Sequence, residues 1–122
     1  MKHSDANDSA ASRTAPIPPA VFYILFALAD GDKHGYAIMQ ETVRLSDGDF
    51  RMGPATLYTN IQRLLAADLI REVSGGSQEQ DARRRTYRLA RPGKAALEQE
   101  LERMRKVLRH AQHFALTLKT SH

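Results

Sequence analysis

The apolar residues of the chain fall into four rhythms. From Pro19 to Asp30 they are nearly continuous, with the run Val21-Phe22-Tyr23-Ile24-Leu25-Phe26-Ala27-Leu28 at the centre. That predicts a first helix buried on most sides, or shared between the core and a subunit contact. Gly31 is placed to end it in a left-handed conformation. Tyr36, Met39 and Val43 then predict a second helix over about Tyr36 to Leu45, with these three on its inward seam. Ser46-Asp47-Gly48-Asp49 is turn chemistry, and Phe50 and Met52 are expected to anchor the loop to the core. Leu57, Ile61 and Leu64 recur at steps of four and three. They share one face of a third helix, which Pro54 opens and Ala67 ends. The longest rhythm is Leu97, Leu101, Met104, Leu108, Ala111, Ala115 and Leu118, an a/d heptad seam on a final helix opened by Arg91-Pro92-Gly93.

Between the third and final helices the period changes. Asp68 to Val73 reads as a short strand, Ser74 to Asp81 as a polar hairpin tip, and Ala82 to Leu89 as the return strand. Tyr87 and Leu89 share one face of that strand, and Thr86 and Arg88 the other. Met1 to Ala15 shows no periodicity and reads as a disordered tail. The expected division is therefore a tail over 1–15, a folded module over 16–90 and a C-terminal helix over 91–122. The fold class is mainly α with a small β-hairpin.

The polar positions carry the chemistry. Thr56, Thr59 and Arg63 fall opposite the Leu57, Ile61 and Leu64 seam. A short helix with a buried seam and such an outer face suits DNA reading, and equally an ordinary amphipathic surface helix. The hairpin decides between them. From Ala82 to Lys94 there are six cations and no acid, with Arg83, Arg84, Arg85 and Arg88 within six residues. Solubility alone explains such a run poorly. Three helices followed by a basic hairpin predict a winged helix-turn-helix, its third helix in the major groove and its hairpin along the backbone. Thr56, Thr59, Asn60 and Arg63 are then expected to face base edges or nearby phosphates. Tyr36 and Tyr58 are expected to hydrogen-bond phosphates, and Arg83, Arg84 and Arg85 to contact the backbone or the minor groove.

Composition narrows the rest. The 122 residues suffice for one domain with a modest core, and the net charge of +4 is a mild excess. There is no cysteine, so disulfides and thiolate metal sites are ruled out. His34 reads as a structural loop residue, and His110 and His113 lack the neighbours of a metal site. Neither a membrane span nor a signal peptide is legible, which makes a cytoplasmic protein the expectation. No nucleophile–base pair, phosphate loop or metal spacing points to an enzyme, and no cofactor is expected. The terminal seam asks for the same helix of a second chain, with Leu97, Leu101, Met104, Leu108, Ala111 and Ala115 in the interface. A homodimer would select an inverted-repeat operator. The competing reading is a protein–protein adaptor that keeps the winged fold without reading DNA.

These residues resemble the PadR family of transcriptional regulators, in the small subclass with a single C-terminal dimerisation helix. The resemblance lies in His34-Gly35-Tyr36, Gly53-Pro54-Ala55-Thr56-Leu57-Tyr58, Arg63-Leu64-Leu65 through Asp68-Leu69-Ile70, and Arg83 through Leu89 with Gly93 beyond. It covers about Pro18 to Leu118 and implies a homodimeric winged-helix repressor, often relieved by a small, frequently aromatic effector. A pocket for such an effector is expected between the first helix and the partner's final helix, lined by Val21, Phe22, Tyr23, Phe26 and Met104. The simpler reading is that the same residues fill the interface. Asp68 stands where relatives often have glycine, and Ala90 where a threonine often caps the last helix. The absence of tryptophan speaks against stacking of planar drugs between tryptophans.

Overall fold

The computed structural model describes residues 16–73 and 85–114. Arg83, Arg84, Ala115 and Leu118 lie outside the described residues. Two units emerge, residues 17–97 and a C-terminal segment from Glu98 onward.

In the first unit the order is α1 (Pro19–Ala27), β1 (Lys33–His34), α2 (Gly35–Leu45), α3 (Pro54–Ala66), β2 (Ile70–Val73) and β3 (Thr86–Leu89), followed by the start of α4 (Arg91–His113). Prolines set two of the starts, because Pro19 and Pro54 occupy first-turn positions where a missing N–H is harmless. Helix α1 ends at Ala27 rather than Asp30, with Leu28 to Asp30 forming a turn before Gly31, whose φ of 145° suits glycine. Ile24, Leu25 and Leu28 are fully buried and meet Ile38 of α2 and Leu57, Ile61 and Leu64 of α3 in one core. Each such side chain contributes about 1.5–3 kcal/mol of transfer free energy.

Helix α2 departs from the expected seam. Gly35, Ile38 and Thr42 are its buried residues, whereas Tyr36 is 52% exposed and Met39 and Val43 are half-buried. The helix is rotated by one residue, for two reasons. Thr42 satisfies its hydroxyl locally by donating to the Met39 carbonyl at 2.8 Å, so burial costs it little. Gly35 lets another ring approach the backbone. The loop behaves as expected: Met52 is buried and Phe50 stacks on Tyr23 at 5.1 Å. The Ser46 hydroxyl ties its two ends, accepting the Phe50 N–H at 2.9 Å.

The sheet has three strands in the order β1-β3-β2, all antiparallel, where a two-stranded hairpin was expected. Lys33 pairs with Tyr87 and His34 with Thr86, and the His34 Nδ1 lies 3.0 Å from the Thr86 hydroxyl. That assigns His34 the structural role read from the sequence. Strand β2 begins at Ile70, not Asp68, because Asp68 is left-handed (φ 62°) and Leu69 returns its N–H to the Leu64 carbonyl at 2.9 Å.

Helix α4 starts where β3 ends. Ala90 donates its N–H to the Leu69 carbonyl and accepts that of Lys94 at 2.9 Å, and its methyl side chain offers no cap. Gly93 is required there, since a Cβ would run into the Leu69 carbonyl and stand 3.0 Å from Leu89 Cδ1. Within the C-terminal segment Arg103 makes two hydrogen bonds to Glu100, at 2.7 and 3.3 Å. Among the described residues no helix is long and apolar enough to cross a membrane.

Candidate nucleic-acid interface

Helix α3 buries Leu57, Ile61 and Leu64 and leaves Ala55, Thr56, Thr59, Gln62, Arg63 and Ala66 exposed. Its two faces thus separate as the spacing predicts, and Thr56, Thr59 and Arg63 stand together on the outer one. Arg63 has no ion-pair partner among the described residues. Gln62, not among the residues expected from the sequence, is exposed beside them. At about 100° per residue it lies about as far to one side of Thr59 as Arg63 does to the other.

Two expected contacts change character. Asn60 is half-buried, and its amide donates to the Thr56 carbonyl of its own helix at 2.9 Å. Its N–H₂ is therefore partly engaged in place. The Tyr58 hydroxyl oxygen is shielded from solvent and lies over Gly35. A phosphate cannot reach that oxygen without moving the ring, so Tyr58 is a packing residue that fixes α3 against the first turn of α2. Tyr36, beside Gly35, keeps its exposure and its access to a ligand.

The wing is less free than its arginines suggest. Arg88 grips Asp32 with two hydrogen bonds, at 2.9 and 3.0 Å. The Arg88 guanidinium in turn holds the Asp32 carboxyl below its ordinary range. Arg85 sits 3.7 Å from Glu72 across the hairpin. Tyr87 fixes the base of the wing in the core, and its burial, with Glu72 adding, pushes its phenol up.

The expected effector lining is divided. Phe22 is buried and packs edge-on to Tyr23 at 5.1 Å, so it fills the core and cannot line an open pocket. Val21, Tyr23 and Phe26 are half-buried, and Met104 belongs to the C-terminal segment. In that segment Met104 and Leu108 of the heptad seam are exposed, 39% and 45%, while Leu101 and Ala111 are half-exposed. Val107 and Phe114, one heptad apart, extend the apolar strip along one side and are exposed too. Leu97, at the head of the seam, is buried within the first unit.

The profile of the transcriptional regulator PadR-like family matches residues 24–99. The chain belongs to this family. Its members are transcription regulators, not enzymes. Among its relatives is the transcriptional regulator Rv3488 of Mycobacterium tuberculosis, 34% identical over 87 residues, which are 71% of this chain and 77% of that protein. A 37.1 kDa protein in transposon TN4556 of Streptomyces fradiae is 38% identical over 85 residues, 70% of this chain, but the match spans only 23% of its length. A PadR-family transcription regulator from Clostridium difficile superposes with a TM-score of 0.64 at 26% identity, covering 80% of this chain and 99% of that one. Bacillus subtilis PadR, solved in complex with operator DNA, shares the fold at a TM-score of 0.57 and 20% identity, over 66% of this chain and 45% of its own.

Proposed function

We propose that the chain is a cytoplasmic DNA-binding transcriptional regulator, acting as a repressor, that reads an inverted-repeat operator as a homodimer. Residues 16–90 serve as the DNA-binding module and 91–122 as the dimerisation helix. The observation that carries this reading is the exposed polar face of α3, set opposite a fully buried seam on a winged frame. In that arrangement Thr56, Thr59 and Arg63 meet the major groove, Tyr36 meets a phosphate, and Arg83, Arg84 and Arg85 contact the backbone or the minor groove. Bacillus subtilis PadR, of the same fold, was captured on operator DNA, which supports the same use here.

One subunit offers a single reading helix and a single wing, too little contact for tight specific binding. The exposed Met104, Val107, Leu108 and Phe114 support a second copy as the partner that doubles it. A small aromatic effector that releases the DNA would reach Val21, Tyr23 and Phe26 of α1, which are half-buried.

The ion pairs at Arg85 and Arg88 favour the adaptor reading, in which the wing has given up DNA. Affinity for duplex DNA measured over a salt series separates the two. A regulator loses affinity steeply as salt rises, with a log–log slope of about −0.9 per phosphate contact. An adaptor shows no duplex binding to lose.

A further inference from the structure

Two side-chain amides lie on α3, and the structure treats them differently. Asn60 is half-buried and donates to its own helix. Gln62 is exposed, and its side chain makes no hydrogen bond among the described residues. The line directly opposite the buried seam holds only Ala55, Thr59 and Ala66, all exposed. Small residues there allow the helix backbone to come close to a groove floor. Gln62 and Arg63 rise on the two shoulders of that line, each about 50° from it, one turn beyond Thr59.

We infer that Gln62 is a specificity-determining residue of the operator interface, reading an adenine in the major groove from the shoulder opposite Arg63. The inference rests on the DNA-binding reading above and deepens it. An uncharged amide gains little from the phosphate field, which rewards cations. Its paired donor and acceptor instead match the N6 and N7 edge of adenine, whereas the guanidinium of Arg63 matches O6 and N7 of guanine. Gln62 has the reach that Thr59 lacks and the freedom that Asn60 lacks.

The test is a parallel binding selection from random duplex DNA with the full-length wild type, Gln62→Ala and Gln62→Arg. The expected result is one adenine in each half-site whose preference drops about tenfold in Gln62→Ala and passes to guanine in Gln62→Arg. Affinity of the wild type and Gln62→Ala for unselected DNA stays within about twofold, because no phosphate contact is lost, whereas the added cation of Gln62→Arg raises it. The same consensus from all three proteins overturns the assignment. So does an equal loss on selected and unselected DNA, which marks a backbone role. A wild type that enriches no sequence defeats the DNA-reading proposal itself, a different failure from an unchanged consensus.

Discussion

The Tyr58 ring lies against the backbone of Gly35, its Cε1 and Cζ atoms 2.8 and 2.9 Å from where a Cβ on residue 35 would stand. This contact joins the first turn of α2 to α3 and so orients the candidate reading face. Gly35→Ala is expected to destabilise the protein by about 1–3 kcal/mol, since a packed ring has to be displaced. Helix propensity alone argues the other way, alanine being better than glycine by about 1 kcal/mol. The same substitution made on a Tyr58→Ala background should cost close to nothing. Urea denaturation of the four proteins measures this coupling, and additive effects would refute the contact.

Asp68 holds a left-handed conformation at the end of α3, with φ of 62°. That geometry strains any side chain and suits glycine. Asp68→Gly is expected to stabilise the protein by about 0.5–1 kcal/mol net of the added freedom of the unfolded chain. A rise in melting temperature checks it, and a fall would mean that the aspartate makes a compensating interaction.

How far the sequence foretold this arrangement differs by element. Leu57, Ile61 and Leu64 announced the inner face of α3 because one helix period governs both burial and spacing. The seam of α2 was not legible from spacing, because Tyr36 is apolar in the pattern yet exposed, and Thr42 polar yet buried. The bond from Thr42 to Met39 and the room that Gly35 leaves for Tyr58 carry no signal in the hydrophobic pattern. Strand β1 had no legible signal: Lys33 and His34 are two polar residues that become a strand only through β3. The basic character of the wing was legible. Its partial neutralisation was not, because Asp32 lies 56 positions from Arg88. Gln62 was within reach of the helical wheel, as the mirror of Arg63 about Thr59.

The Asp32–Arg88 pair predicts an acid-sensitive increment of stability. The Arg88 hydrogen bond lowers the Asp32 carboxyl from its ordinary value of 3.8. The contribution is therefore fully present above that value and is lost as pH falls through the lower, folded one. Wild type and Asp32→Asn compared by urea denaturation should differ at pH 6, and the gap should narrow as pH falls below 3.8. A constant gap at every pH would show that the carboxylate charge is not what matters.

Leu108→Glu tests assembly. In a dimer built on the seam this glutamate would place a charge in an apolar contact, at a cost of several kcal/mol. Sedimentation velocity is expected to find a monomer with weakened affinity for palindromic DNA. A Leu108→Glu dimer as tight as the wild type would place the subunit contact elsewhere.

That this chain reads DNA sequence can be checked in one titration. Wild-type protein is titrated at a single salt concentration against the duplex recovered by binding selection and against the same duplex with both half-sites scrambled. The expected result is a preference of about 10³-fold or more for the selected duplex. Affinities within twofold of each other would contradict it.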